Sequence, residues 1–157
     1  LRVKAATLRR LLNIWPTFLC SGIRVETIAD DWRYARVRLK LRWYNRNYVR
    51  AQFGGNLFAM VDPFWMILTL EALRHEYIVW DKAGEIEFVA PGRSDVYAEI
   101  RLDDAMLDEI RAATANGEKY LRWCETEIKT VAGELIARVR KQIYVRRKVR
   151  PSAGAMR

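Results

Sequence analysis

Histidine occurs once in this 157-residue chain and cysteine twice, and these shortages exclude much of the chemistry that depends on them. Cys20 and Cys124 lie far apart, with no C-x-x-C pair and no paired histidines, so neither a zinc site nor a disulfide framework is expected. The sole histidine, His75, stands between Arg74 and Glu76 at the end of an apolar run, where a solvent-exposed cation near a helix C-terminus is its expected role. No Ser-His-Asp or Cys-His arrangement is present. Reduced thiols in a cytoplasmic protein are the expectation. Long apolar stretches are also missing: the longest, residues 57–70, is too short for a membrane span and carries Asp62 and Pro63 near its middle. Pro16 interrupts the apolar N-terminal stretch and no small-residue cleavage site follows, which argues against a secretory leader.

What is abundant is apolar and basic. Hydrophobic residues make up 51% of the chain and include six Trp, enough for one well-packed domain, expected over residues 1–148 with a mobile tail at 149–157. Lys plus Arg outnumber Asp plus Glu by 28 to 19, a net charge of +9, which raises polyanionic partners: nucleic acid, a membrane surface or the phosphates of a cofactor-like substrate. The placement of the charges bears on that question. Residues 32–43 alternate, with Ala35, Val37, Leu39, Leu41 and Trp43 against Arg36, Arg38, Lys40 and Arg42. Elsewhere Glu85, Glu87, Glu99, Glu125 and Glu127 sit on expected strands, facing Arg138, Arg140 and Arg146 on another. Basic and acidic strands in one curved sheet neutralise each other as cross-strand pairs, so a nucleic-acid surface ranks last among the functional readings.

The periodicities predict an amphipathic helix over 3–14, turning Leu8, Leu11, Leu12 and Trp15 to a core and stopped by Pro16. A hairpin of strands 23–28 and 32–43 follows. After the central apolar run, residues 77–80 lead into a strand at 83–90, and Pro91-Gly92-Arg93-Ser94 turns into a strand at 96–102. A short helix over 103–113, capped by Asp103 or Asp104, precedes a last hairpin of 119–130 and 134–146. Several strands wrapped around one strongly apolar helix make an α+β layer fold.

The most informative segment is 47–73, in which Gly54-Gly55 precedes a nearly all-apolar run holding one carboxylate, Asp62. An ionised carboxylate among Leu57, Phe58, Met60, Val61, Phe64, Trp65 and Met66 is costly without partners, and such costly groups often mark function. Two local geometries are open. Asp62-Pro63 reads as an N-cap followed by a first-turn proline, with a helix from 63 to about 73. Alternatively the helix begins at Gly54 or Gly55, and Pro63 frees the Ala59 carbonyl and kinks it beside Asp62. Trp65, Met66, Tyr77 and Trp80 are candidates for core or for an acyl pocket, with core favoured.

Asn47, then Phe53-Gly54-Gly55, then Asp62, at these intervals, resembles the signature of hotdog-fold acyl-CoA thioesterases of the phenylacetyl-CoA thioesterase type, which reads Asn, His-Gly-Gly, Asp. Four of the five positions match; the fifth, histidine in that family, is Phe53 here, which supplies no acid, base or donor. The wider layout, over roughly residues 8–148, is similar to an uncharacterised branch of that superfamily. The resemblance implies a hotdog fold, one antiparallel sheet curled around a central helix, assembled as a homodimer or homotetramer with sites between subunits. It also implies thioester hydrolysis without metal or cofactor, coenzyme A entering as part of the substrate. Asp62 would then serve as general base or nucleophile, the Gly55 N–H would polarise the thioester carbonyl, and Asn47 would orient water or substrate. Gly54, Phe53 and Arg93 would contact substrate, Arg93 through phosphate. The rival reading keeps the fold and makes the protein a noncatalytic acyl-thioester or lipid-binding module. A hotdog dehydratase, which depends on a histidine, is disfavoured.

Overall fold

In a computed structural model, residues 3–74 and 76–148 of the chain are described. His75 and residues 149–157, read above as a helix-end cation and a tail, lie outside the described residues. The order of elements is α1 (Ala5–Ile14), α2 (Pro16–Ser21), β1 (Ile23–Ile28), β2 (Tyr34–Leu39), α3 (Gly54–Ala59), α4 (Phe64–Ala72), β3 (Tyr77–Phe88), β4 (Val96–Arg101), α5 (Asp104–Ala113), β5 (Lys119–Thr130) and β6 (Leu135–Arg147). The strands form one antiparallel sheet ordered β1-β2-β4-β5-β6-β3. This is the hotdog arrangement, with α3 and α4 as the filling.

Strand alternation builds the core. Val25, Val37, Leu39, Val96, Ala98, Ile100, Ile128, Val139, Ile143 and Val145 are buried on the inner face, where they meet Leu57, Met60, Val61, Phe64 and Leu68 of the central helices. The outer face carries the charge. Arg138 pairs with Glu87 and Glu127, Arg140 with Glu85, and Arg36 with Glu26 and Glu99, so the excess of arginine is partly spent across strands. Exposed pairs of this kind contribute only about 0 to 1 kcal/mol each.

The structure corrects the sequence reading in several places. In α1 the buried polar residue is Asn13, while Leu11 and Trp15 are exposed. The Asn13 amide donates to the Val25 carbonyl at 2.9 Å and accepts from the Val25 N–H at 2.8 Å, so a side chain acts as the missing strand neighbour of β1. Pro16 does not merely stop a helix; it opens α2, where its fixed φ suits the first helical position. β2 ends at Leu39, four residues before the alternation does, because backbone groups beyond it bond to side chains. The Leu41 N–H donates to Asp95, and the Lys40 carbonyl accepts from the Asn45 amide. Trp80, grouped above with core candidates, lies on the outer face, stacked on Tyr144 with ring centroids 4.1 Å apart.

β3 runs unbroken from Tyr77 to Phe88 with a bulge between Asp81 and Ala83, where Lys82 has no partner in the β6 register. The extra residue shifts the strand's parity.

Candidate active site

The site forms where α3 gives way to α4. Residues 60–63 are a turn between two helices, and Pro63, the residue before α4, makes no side-chain capping bond. Neither geometry left open above is therefore realised in full. The Asp62 N–H continues the helical pattern by donating to the Phe58 carbonyl at 3.1 Å, and the Asp62 side chain caps nothing. Its carboxylate remains 48% exposed and accepts from the Lys141 ammonium at 2.5 Å.

Lys141 is the residue that sequence reasoning missed. On β6 it stands in the row Val139, Lys141, Ile143, Val145, all turned inward, and its side chain is only 5% exposed. Besides Asp62, its Nζ lies 3.5 Å from Asp81 Oδ2 and 5.1 Å from the centre of the Phe58 ring. A signal was present in the sequence: a lysine at an apolar step of the alternation 139–145. Asp81, inward on β3, was likewise unremarked. Burial pushes its carboxyl above the ordinary aspartate range, the Lys141 charge pulls back, and Asp62 adds to the rise. Its Oδ1 atom is buried without a hydrogen-bond partner. Gly84, opposite Lys141 in the register, makes room for the cluster: a Cβ there would sit 2.6 Å from Phe58 Cζ and 3.3 Å from Lys141 Cδ. Only glycine admits both side chains unmoved.

The paired glycines sit at the other end of α3. Gly54 and Gly55 occupy its first turn, where helical N–H groups have no intrahelical acceptor. Phe53, exposed, folds back so that a Cβ on Gly55 would lie 2.5 Å from its ring, and Phe88 closes on Gly54 in the same way at 2.8 Å. From Gly55 to Asp62 is seven residues of near-continuous helix, about 10 Å along the axis. One chain therefore does not bring the Gly55 amide and the Asp62 carboxylate to the same atom.

Asn47 holds the loop that leads into α3. Its Oδ1 accepts from the Ala51 N–H at 3.0 Å and its Nδ2 donates to the Gln52 carbonyl at 3.3 Å. Buried Gln52 ties that loop to the sheet, donating to the Leu39 and Ser94 carbonyls while its N–H donates to Gly92. Arg93 is exposed and donates to the Val49 carbonyl at 3.3 Å, so the 91–94 turn and the 47–52 loop form one rim. Of the acyl-pocket candidates, Trp65 and Tyr77 are buried, Trp65 donating to Thr126 Oγ1 at 2.9 Å. Cys124, paired with Lys141 in the β5–β6 register, is buried, which pushes its thiol up to about 11 and keeps it protonated. Among the described residues no group of three or more His, Cys, Asp or Glu could hold a metal ion, and no helix is long and apolar enough to cross a membrane.

The model of one protein family, a domain of unknown function (DUF4442), matches residues 4–145. No curated protein matches the chain. Among solved structures, a protein of unknown function from Pseudomonas aeruginosa described as a probable thioesterase superposes with a TM-score of 0.78 at 20% identity, over 94% of this chain and 99% of that one. A thioesterase from Haemophilus influenzae gives 0.67 at 13% identity, over 97% and 96%. Another thioesterase from Pseudomonas aeruginosa gives 0.67 at 12% identity, over 94% and 97%. These likenesses establish the shared fold.

Proposed function

Because the chain belongs to the DUF4442 family and has the hotdog fold, we propose that it hydrolyses an acyl-CoA or related thioester, with Asp62 driving the attack. One observation carries this reading: the Asp62 carboxylate, set in the apolar stretch 57–70 where α3 meets α4, is half exposed and spends no oxygen on capping. As general base, Asp62 takes a proton from water as the water oxygen bonds to the acyl carbon; the C–S bond then breaks and the proton passes to the thiolate. As nucleophile, it bonds to the acyl carbon directly, and water cleaves the resulting anhydride. Both routes deliver carboxylic acid and free thiol.

The carbonyl oxygen needs a donor while charge develops on it, and the Gly55 N–H has no helical acceptor. With about 10 Å of helix axis between Gly55 and Asp62, this reading has one substrate use the two from different chains. The reading therefore includes a homodimer, itself able to pair into a tetramer, in which Gly55 of one copy and Asp62 of the other face one acyl group. β3 supplies the means, as the last strand of the sheet with Ile78, Trp80 and Phe88 exposed along it. Asn47 retains one amide hydrogen and one oxygen lone pair beyond its loop contacts, enough to orient water or thioester. Gly54 lets substrate approach the backbone, Phe53 forms a wall, and Arg93 meets the phosphates of coenzyme A with the donors that Val49 leaves free. No cofactor beyond the coenzyme A of the substrate is invoked, and a cytoplasmic location suits that supply.

Phe53 favours a second reading, a noncatalytic acyl-thioester-binding protein, since its ring covers Gly55 and brings no imidazole. A panel of acyl-CoA thioesters assayed with wild type and Asp62→Asn separates the two. Wild-type turnover that drops by orders of magnitude in the variant supports hydrolysis, saturable binding without turnover supports the second reading, and unchanged turnover in the variant removes Asp62 from the chemistry.

A further inference from the structure

A buried lysine costs several kcal/mol of desolvation unless charged partners repay it, so Lys141 in an otherwise apolar row calls for a reason. Its geometry supplies one. Three features of the chain converge on a single ammonium group: the helix break that presents Asp62, the bulge after Asp81 that keeps Asp81 and Gly84 on one face, and the lack of a side chain at Gly84, which lets the lysine stem pass beside Phe58. The contact to Asp62 is a hydrogen bond at 2.5 Å, whereas Asp81 stands at 3.5 Å. The ammonium thus belongs first to Asp62, with Asp81 behind it.

We propose that Lys141 is the positioning residue of the Asp62 site, its ammonium group fixing one oxygen of the carboxylate while Asp81 anchors the lysine from the other side. The proposal deepens the hydrolase reading and rests on it for its catalytic meaning. Lys141 does not touch substrate. It holds Oδ1, so Oδ2 of Asp62 is the oxygen left for water or acyl carbon. It also provides, from β6, the cation that an imidazole at position 53 could not have placed there, since Phe53 lies at the far end of α3. The other charged or titratable groups around the pair are few. β3 contributes Asp81, β5 contributes Cys124 with its thiol protonated, and Arg122 beyond it is engaged by Glu109. Glu85 and Arg140 neighbour the same strands but face outward and pair with each other.

The test is the crystal structure of Lys141→Met set beside kinetics of the wild type, Lys141→Met and Lys141→Arg with an acyl-CoA that the wild type hydrolyses. Without the ammonium the Asp62 carboxylate is expected to leave its wild-type orientation, and a misplacement of about 1 Å can cost about 100-fold in rate. The loss should fall on kcat more than on KM, and Lys141→Arg should restore most of it. An Asp62 side chain that keeps its wild-type orientation in folded Lys141→Met overturns the proposal, whatever happens to activity. Should Lys141→Met not fold, the Asp81→Asn/Lys141→Met double variant removes both inner charges and carries the same expectation and the same refuting result. Absent turnover in the wild type would sink the hydrolase reading alone, because the structural comparison needs no substrate.

Discussion

Replacing Asp95 by Asn loosens the loop that delivers the paired glycines, and the structure gives the size and the pH dependence of the effect. Asp95 Oδ2 accepts from Arg38 Nε at 2.8 Å and Nη2 at 2.5 Å, and Oδ1 accepts from the Leu41 N–H at 2.9 Å, just where β2 gives way to the 40–53 loop. Asparagine keeps an acceptor for Leu41 but loses the charge. Hydrogen bonds to charged groups are worth about 1.5–3 kcal/mol against about 1 kcal/mol for neutral ones, so two of them would lose about 2 kcal/mol. Both side chains are about one-third exposed, and Glu26 also lies 3.9 Å from Arg38, which together reduce the loss to about 1 kcal/mol. Partial burial raises the Asp95 carboxyl, but the Leu41 N–H and the Arg38 guanidinium outweigh it and hold it below the ordinary 3.8. A carboxyl depressed on folding stabilises above its unfolded value, and that stability disappears as pH falls through the unfolded and then the folded value. Urea unfolding of wild type and Asp95→Asn should therefore differ by about 1 kcal/mol at pH 7, or about 2–4 °C in Tm, and the gap should narrow as pH falls below 3.8. The other depressed carboxylates are common to both proteins and cancel. A gap as wide at pH 3 as at pH 7 would refute the ion-pair argument.

Two further expectations concern the frame and the thiols. Asn13→Leu fills the same space but leaves the Val25 N–H and carbonyl without partners, at about 1–3 kcal/mol for each group, so unfolding should show a loss of at least about 2 kcal/mol with faster amide exchange at Val25; a loss within the error of wild type would contradict the strand-mimic role. At pH 8 a soluble disulfide reagent should modify exposed Cys20 in the native protein and leave Cys124 intact until denaturant is added; equal rates for both would refute the burial of Cys124.

The legible parts of this fold were those governed by one period. Strand alternation at 34–39, 96–101 and 119–147 and the turns at Gly117 and Gly133, both at positive φ, could be read from residue types alone. The loop at 40–53 could not, since its backbone is satisfied by the side chains of Asn45, Asn47 and Asp95, the last 54 positions from its partner Leu41. The same division runs through the site. Asp62, Gly54 and Gly55 announce themselves by local context, a lone acid and a glycine pair in apolar surroundings. Lys141 and Asp81 become visible only when β6 and β3 are laid beside α3, because a lysine in a strand of arginines looks like solvation until its parity is counted. Asp62 also shows where local rules mislead: Asp before Pro is a good cap in sequence, yet the Phe58 carbonyl of α3 claims its N–H and the side chain is left for Lys141 on β6.

The unpaired residue in β3 has a consequence for how such a chain can change. With Lys82 in place, Asp81 and Gly84, three positions apart, both point to the helices. Were Lys82 instead drawn into the ladder, strict alternation would put positions three apart on opposite faces, and either the acid or the gap would have to rotate to the outside; deleting Lys82 would leave both facing inward. The counter-charge and the passage for the lysine stem thus share one face because Lys82 stays out of the ladder, and the pair would survive the loss of that residue but not its pairing with β6.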